Sequence, residues 1–382
     1  MNMTTIYMDH AATTPIHPEV IETITTLGAD VFGNPSSIHS YGRDARKYMN
    51  EARDMIAQSI QAKDQEIIFT SGGTEANNLA IIGVALANKH KGKHIITTEI
   101  EHDATLHAVQ YLEKQGFKVT YLPVNEHGKV AVNDVVEALT PETILVSIMY
   151  VNNETGVKQP IRAIGELLKA HQAYFHTDAV QAYGLLSIDV EKLGIDLMSV
   201  SAHKINGPKG IGFLYAKEDI QMQPLFFGGE QERKKRPGTE NVIGVLGFQR
   251  AVERIVKKRI EIQEAYSSLQ SAFINALSEK EVEFKINGRL EDNIGSIINL
   301  SFPGTQVESL LTNLDLEKIA ASSGSACTAG SLQSSHVLVA MYQEDSERIH
   351  NSIRFCFGYG QTIEQMEEAA ERIARIVKRL KT

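Results

Sequence analysis

The sequence contains very few cysteines and no CxxC pair. Cys327 and Cys356 are the only two among 382 residues. Two thiols without such a pair argue against a disulfide framework and against a structural zinc site, and they fit a reducing compartment. We therefore expect a cytoplasmic protein that binds no metal.

Long apolar runs and a surplus of positive charge are absent as well. No uninterrupted apolar stretch approaches the roughly 18 residues that cross a bilayer, and the first residues lack the basic and apolar regions of a signal peptide. The net charge of −9 argues against a nucleic-acid surface, because phosphate binding relies on clustered Lys and Arg. The one basic run, Arg233–Arg236, indicates a solvated loop or a contact for an anionic partner. We expect no direct binding of nucleic acid or membrane.

Apolar strand-like runs alternate with helical segments through the first half of the chain, which at 382 residues exceeds one ordinary core. The alternation predicts an α/β domain whose mainly parallel, seven-stranded sheet is covered by helices. We predict strands at Glu66–Thr70, His94–Thr97, Lys118–Leu122, Ile144–Met149, Ala173–Thr177, Leu197–Val200 and Gly212–Ala216. Helices are predicted between them at Glu75–Lys89, Asp103–Gln115, Asn133–Ala138 and Ile161–His171.

A long helical pattern over Asn241–Ser278 leads into a second set of strands and helices. We interpret this set as a smaller α+β domain. The large domain is predicted to comprise residues 16–257, and the small domain residues 1–15 and 258–382. Its strands are predicted at Val282–Ile286, Ser296–Phe302 and Ser352–Phe357, and its helices at Gln306–Leu314 and Thr362–Leu380.

A lysine follows one of the buried strands of the predicted sheet. Lys204 stands in the stretch Ser199–Gly210, after the apolar run Ile195–Val200 and before a turn rich in Gly and Pro. A desolvated ammonium group has to pair, shift its pKa or react, and such a lysine can form a Schiff base with a carbonyl cofactor. The alternative is a loop lysine whose charged end reaches solvent.

Four other strand ends carry residues that suit a phosphorylated ring cofactor. Gly73 and Thr74 open a helix whose N-terminus favours an anion, although a simple capped turn has the same composition. Asp178 either caps the next helix or pairs with a protonated pyridine nitrogen, as pyridoxal phosphate requires. His102 can stack on a flat ring or move protons, and Asn153 lies in a polar cluster. Because ligands bind at the carboxyl ends of parallel strands, the combination favours a reactive Lys204.

Eight motifs stand together in a recognisable order. They are SGGTEANN, TEIEHDA, VNNETG, HTDAVQ, SAHKINGPKG, RPGTEN, SSGSACTAGSL and SIRFCFG. With them the chain resembles the pyridoxal-phosphate-dependent cysteine desulfurases of the NifS/IscS-like family, in the class V aminotransferase group. The resemblance runs from Ile6 to the last predicted helix. It implies a homodimer of PLP-dependent transferase fold type I, in which each active site is completed by the neighbouring subunit.

The resemblance also implies a role for each matching residue. Lys204 would bind the pyridoxal 5′-phosphate and later act as general base at the substrate Cα, and His102 would stack on the ring. Asp178 would pair with the pyridine nitrogen and Gln181 with the ring hydroxyl. Arg354, together with Asn153, would bind the carboxylate of the substrate. The phosphate would be held by Gly73, Thr74, Ser201 and His203, with Thr239 reaching in from the other subunit.

Cys327 distinguishes the reaction from others of the same group. Its neighbours in Ser322–Ser331 all have small side chains that cannot build a core, which favours an exposed nucleophile over an inert buried thiol. The resemblance implies that Cys327 takes the sulfur of L-cysteine as a persulfide while L-alanine leaves. It further implies transfer to acceptor proteins, either a scaffold for iron-sulfur cluster assembly or an enzyme of tRNA thiolation. Cys356, between two phenylalanines, is interpreted as structural.

Three positions depart from the pattern of the family. Ala202 stands where Gly is usual, Pro237 where Ala or Ser is common, and Ser334 where Pro often follows the cysteine loop. We expect the Ala202 methyl group to lie beside the phosphate. Other class V enzymes, such as a selenocysteine lyase or an aminotransferase, and a scaffold without turnover remain alternatives. An aminotransferase has no need of Cys327, and a scaffold has no need of Lys204.

Overall fold

The computed structural model describes residues 4–324 and 334–381. Its strands are β1 (Ile6–Tyr7), β2 (Ile67–Thr70), β3 (His94–Thr98), β4 (Lys118–Leu122), β5 (Thr143–Ser147), β6 (Tyr174–Asp178), β7 (Leu197–Ser201), β8 (Gly212–Ala216), β9 (Lys285–Asn287), β10 (Ile297–Ser301), β11 (Ile319–Ala320) and β12 (Ser352–Cys356). Its α-helices are α1 (Pro18–Asp30), α2 (Ser40–Ser59), α3 (Gly73–Asn78), α4 (Val84–Asn88), α5 (Asp103–Lys114), α6 (Val132–Ala138), α7 (Ile161–Leu168), α8 (Val190–Leu193), α9 (Val242–Glu279), α10 (Val307–Leu316), α11 (His336–Tyr342), α12 (Arg348–Asn351) and α13 (Ile363–Leu380). None of these helices is long and apolar enough to cross a bilayer.

The central sheet has seven strands in the order β2-β8-β7-β6-β5-β3-β4. Strand β8 runs antiparallel to β2 and β7, and the other neighbouring pairs are parallel. The predicted, mainly parallel seven-stranded sheet is therefore confirmed. The register pairs Asp178 at the end of β6 with Ser199 in β7. Residues that follow these two strands consequently meet at one edge of the sheet, where ligands bind in such folds.

Successive residues of the central strands enter two separate apolar cores. Met198 of β7 and Phe213 of β8 belong to one core, whereas their neighbours Leu197 and Leu214 belong to the other. Because side chains alternate between the faces of a strand, both faces are buried and both need a covering layer of helices. This double burial explains why the strands read as continuous apolar runs in the sequence.

The C-terminal part of the chain has a core of its own. Strands β12, β10 and β9 form an antiparallel sheet in that order, beside which Phe273 of α9 packs against Phe355. Strand β1 pairs in parallel with β11 and adds Ile6 to this core, and Met8, the residue after the strand, belongs to it as well. Helix α9 is kinked at Lys258, the residue at which the predicted small domain resumes. The division at 257/258 stays a prediction.

Several elements differ from the sequence-based expectation. The helix expected over Glu75–Lys89 is interrupted by a π-helical turn at Leu79–Gly83. The chain packs tightly at this turn, because a Cβ on Gly83 would lie 2.7 Å from the carbonyl oxygen of Gln223. Strand β6 ends at Asp178, so this acid is the last residue of the strand instead of the first one after it. Helices α11 and α12 and strand β11 were not predicted, since each is too short for a periodic pattern to emerge.

A buried ion pair anchors the loop that contains the basic run. Glu232 accepts two hydrogen bonds of 2.7 Å from Arg53 of α2 and one of 2.9 Å from the backbone amide of Phe69 in β2. Glu232 and the two residues after it, Arg233 and Lys234, have φ values of 46°, 55° and 66°, a conformation that non-glycine residues rarely adopt. The three contacts of the carboxylate therefore hold a strained turn against the central sheet.

We predict that Glu232→Ala lowers the free energy of unfolding by about 3–5 kcal/mol, because it leaves the Arg53 guanidinium buried without its partner. Urea denaturation followed by circular dichroism measures the effect. Glu218→Ala is the matched control, since Glu218 pairs with Lys63 at the exposed surface and its removal is expected to change nothing measurable. Equal effects of the two substitutions would contradict the stabilising role of the buried Glu232–Arg53 pair.

Candidate active site

A cavity of about 300 Å³ lies at the carboxyl edge of the central sheet. The predicted site residues that line it are Gly73, Thr74, His102, Asn153, Asp178, Gln181, Ser201, His203, Lys204 and Arg354. Thr239 is exposed and does not line this cavity. Cys327 lies outside the described residues. The structure thus brings together residues that are distant in the sequence, such as Gly73 and Arg354.

Lys204 lies on a 3-10 turn directly after β7. Its Nζ donates hydrogen bonds to the carbonyl oxygens of Ala12, at 2.8 Å, and Ala11. Burial lowers the pKa of Lys204 to about 8, and the positive charge of Arg354 acts in the same direction. An amine with this pKa is in part neutral near physiological pH, so it can act as a nucleophile or as a base.

Ala202 does not lie where we expected it. It is fully buried and does not line the cavity. A Cβ built on Gly207 would lie 3.0 Å from the Ala202 methyl group, so this methyl group points toward the turn that follows Lys204. The expectation of a methyl group beside the phosphate is therefore not supported by the contacts of this residue.

Asp178 is fixed by hydrogen bonds to both carboxylate oxygens. Its Oδ1 accepts from the amide of Val180 at 2.9 Å, and its Oδ2 accepts from Nδ2 of Asn77 at 2.6 Å. Asn77 is buried and lines the cavity, but the sequence analysis did not select it. The available signal was its spacing, because Asn77 follows Gly73 by four residues and so lies on the same face of the helix.

The start of helix α3 forms an open cradle for an anion. Its N-cap residue, Gly72, supplies no side chain to bond the first amide groups of the helix, which leaves them directed at the cavity with the positive end of the helix dipole. A Cβ on Gly73 would lie 2.8 Å from Cγ2 of Val180, so only glycine fits there. Ser201 and His203 line the same cavity. This donor set suits a phosphate.

The two histidines of the cavity are held by local hydrogen bonds. Nδ1 of His102 accepts from the amide of Ala104 at 3.0 Å, so the side chain caps helix α5 while it lines the cavity. Nδ1 of His203 lies 3.1 Å from Oγ1 of Thr13. Burial, with the neighbouring Lys204 cation, lowers the pKa of His203 to about 4. His203 is therefore neutral at physiological pH and can donate a single hydrogen bond toward the cavity or toward Thr13.

Arg354 is buried and its guanidinium is oriented by three acceptors. Nη2 donates to Oδ1 of Asp9 at 2.7 Å, and Nη1 donates to the backbone oxygens of Asn153, at 3.0 Å, and Gly324, at 3.1 Å. Its Nε has no partner among the described residues. Asp9 was not predicted, because its partner Arg354 is 345 positions away in the sequence. For Asn153 a side-chain role was predicted, whereas the contact observed here uses its backbone oxygen.

A buried carboxylate, Glu154, borders the segment that contains Cys327. The buried Glu154 accepts a hydrogen bond from Oγ of Ser335, and a Cβ on Gly324 would lie 2.3 Å from its Oε2. Gly324 and Ser335 stand on either side of the segment, so Glu154 contacts the chain before and after it. Cys356 is fully buried, and burial raises the pKa of its thiol to about 11, which agrees with a structural role.

Comparison with known proteins identifies the family. The family model described as "Aminotransferase class-V" matches residues 6–368. The chain is 56% identical over 378 residues to the "Putative cysteine desulfurase IscS 1" of Bacillus subtilis strain 168, covering 99% of this chain and 100% of that protein. It is 45% identical to the "Cysteine desulfurase IscS" of Dictyoglomus turgidum, with 99% and 95% covered. A solved structure of a "NIFS-LIKE PROTEIN" superimposes with a TM-score of 0.92 at 33% identity, covering 98% of this chain and 100% of that one.

The chain belongs to the cysteine desulfurases of the class V aminotransferase family. Members of this family depend on pyridoxal 5′-phosphate, and the fold is PLP-dependent transferase fold type I. The residues present here fit that cofactor: a buried amine of low pKa, a carboxylate with both oxygens anchored, and an uncapped helix start beside Gly73. The predicted family, cofactor and fold are thereby confirmed.

We predict that Gly73→Ala weakens the binding of pyridoxal phosphate at least tenfold, because the added methyl group collides with Val180 and overpacking typically costs about 1–3 kcal/mol. Equilibrium dialysis of the cofactor-free protein measures the affinity. Replacing Val180 by Ala in the same chain removes the colliding methyl group and is expected to restore most of the affinity. Equal affinities of the single and the double variant would show that the close contact is not the cause.

We also predict that attachment of pyridoxal phosphate to the cofactor-free protein accelerates as the pH rises through about 8 and then levels off. The neutral form of Lys204 is the nucleophile, and its pKa of about 8 sets this range. In Arg354→Leu a nearby cation is lost, so the pKa of Lys204 rises and the profile moves to higher pH. Stopped-flow absorbance gives both profiles, and identical midpoints would contradict the electrostatic argument.

Proposed function

We propose that this cysteine desulfurase converts L-cysteine to L-alanine and takes up the sulfur as a persulfide on Cys327. One observation carries the proposal: a single cavity combines the amine of Lys204 with the buried guanidinium of Arg354. A cation suits the carboxylate of an amino acid, and an amine of low pKa suits its Cα proton. The names of the relatives support cysteine as that amino acid.

Arg354 would bind the carboxylate of the substrate from a fixed position. Asp9 and the two backbone oxygens accept from three of the five N–H groups of the guanidinium, and the buried Nε has no partner among the described residues. A substrate carboxylate that accepts from Nε would satisfy this atom and neutralise charge in the cavity. Asp9 is thereby a positioning residue for Arg354.

Lys204 would take the proton from the substrate Cα. Bound pyridoxal phosphate supplies the electron sink that stabilises negative charge on that carbon. The carbonyl oxygens of Ala11 and Ala12 accept from Nζ of Lys204 and would stabilise the ammonium group that results. His102, whose Nδ1 is engaged by the helix amide, would present the protonated Nε2 to the cofactor face.

The sulfur atom would pass from the thiol of the substrate to the thiol of Cys327. The thiolate of Cys327 attacks the sulfur of the substrate, a sulfur–sulfur bond forms, and the electron pair of the carbon–sulfur bond stays with the carbon. Protons then complete L-alanine, so one cysteine and one Cys327 thiol give one alanine and one persulfide. An aminotransferase would not use this thiol, and its presence therefore favours the desulfurase.

We further propose a homodimer that passes the sulfur to an acceptor protein. Thr239 is exposed and does not line the cavity of its own chain, as expected of a residue that reaches a neighbouring site. Phe226 and Phe227 of the preceding segment are 53% and 84% exposed and offer an apolar contact for a second subunit. The acceptor would be a scaffold for iron-sulfur cluster assembly or a tRNA-thiolating enzyme. The cytoplasmic location stays a prediction.

We predict that Cys327→Ser loses sulfide release from L-cysteine by at least about two orders of magnitude but keeps the colour of bound cofactor, because the nucleophile alone is removed. Sulfide and alanine are measured with a thiol reductant. Cys356→Ala is the matched control and is expected to stay within a few-fold of the wild type. Lys204→Ala is expected to lose both the colour and the activity. Sulfide release by Cys327→Ser at the wild-type rate would refute the persulfide step.

A further inference from the structure

A second, much smaller cavity lies behind Lys204. Its volume is about 40 Å³, and it shares Ala11, Val180, Gln181 and Lys204 with the active-site cavity. These four residues therefore form a wall with the substrate side in front and the small cavity behind. The small cavity has a mixed lining that includes His10, Thr14, Arg254, Tyr266, Ser296 and Phe357.

His10 is a buried polar group of this cavity, and its side chain has no hydrogen-bond partner among the described residues. The residue is only 7% exposed, and neither ring nitrogen has a hydrogen-bond partner among the described residues. The Tyr7 ring contacts it edge-on at 5.0 Å, and a Cβ on Gly358 would lie 2.4 Å from its Nδ1. The ring is thus tightly enclosed, and no neighbour among the described residues has the geometry of a hydrogen bond to its nitrogens. A buried polar group without a partner costs free energy, so its partners are to be sought in the cavity.

The imidazole of His10 is neutral in this environment. Burial lowers its pKa to about 4, against the opposing effects of the Asp9 carboxylate and the Tyr7 backbone. A neutral imidazole has one donor and one acceptor nitrogen, and water serves both. The cavity has room for at least one water molecule, which needs roughly 10–15 Å³ of such volume. Arg254, which is partly exposed, lines the same cavity and connects it to the surface.

We propose that the cavity behind Lys204 holds ordered water that is hydrogen-bonded to His10 and exchanges protons between Lys204 and bulk solvent. The inference rests on the proposed role of Lys204 as the base at the substrate Cα. His10 is a positioning residue in this arrangement, because it acts on the water and not on the substrate. A proton taken from the substrate is then replaced by a solvent proton before Lys204 returns one to the product.

The first test is structural and needs no turnover. A high-resolution crystal structure of the wild-type protein is expected to show water within hydrogen-bond distance of a His10 ring nitrogen, and a structure of His10→Gln is expected to keep this water on the amide. A dry cavity in the wild type would overturn the proposal, whatever the enzyme does with cysteine.

The second test follows deuterium from the substrate. With L-cysteine deuterated at Cα in ordinary water, the wild type is expected to lose most of the label, measured by mass spectrometry as total deuterium in alanine. His10→Phe keeps a planar ring but removes both nitrogens, and it is expected to retain the label several-fold more. His10→Gln, which can still bond water, is expected to behave like the wild type.

The outcomes separate the water route from the proposed function. Equal retention of deuterium by the wild type and His10→Phe, or full retention by the wild type, would overturn the water route while desulfuration stands. If the wild type formed no alanine at all, the proposed function would fail, and the presence of water on His10 would still be decided by the crystal structure.

Discussion

The active site depends on the contacts of one short stretch, Asp9–Thr14. Asp9 orients Arg354, the carbonyl oxygens of the two alanines bind Lys204, and Thr13 and Thr14 bind the side chain and the backbone of His203. The stretch is itself fixed by β1, which pairs with β11, and by the amide of Cys356, which donates to the oxygen of Met8. Both halves of the chain are therefore joined where the chemistry takes place.

The charged groups in and beside the cavity pair selectively. Two cations, Lys204 and Arg354, line the cavity together with the carboxylate of Asp178, and the carboxylate of Asp9 pairs with Arg354. Asp9 bonds to the guanidinium, Asp178 bonds to amide donors, and Lys204 bonds only to carbonyl oxygens in the contacts observed. The lysine therefore receives no direct ionic support, and burial beside a fixed cation can lower its pKa. Because each carboxylate bonds to another partner, neither forms an ion pair with the amine of Lys204 in the contacts observed.

Much of this arrangement could be predicted from the sequence. The remainder could not, because it depends on contacts between residues that are distant in the chain. Apolar runs and their spacing predicted the sheet, and the residues at the strand ends predicted Lys204, Asp178 and the helix start at Gly73. The contacts of Asp9 and the direction of the Ala202 methyl group were not predictable, because they depend on packing between distant segments. Helical spacing from Gly73 could have identified Asn77, but a polar residue within a helix more often has a structural role. The shortest elements, such as β11 and α12, were not predicted, because a few residues do not show a periodic pattern.

In its proposed role as the base, Lys204 has two requirements that oppose each other. Its amine has to be buried to act as a base near physiological pH, yet an ammonium group that is cut off from water cannot replace the proton it took with one from solvent. Lys204 can meet both requirements because the wall that it forms with Ala11, Val180 and Gln181 has a cavity on each side. The substrate side stays enclosed, while the side with His10 has room for water and partners that need it. On this view the unpaired imidazole is the means by which a buried lysine remains in contact with solvent.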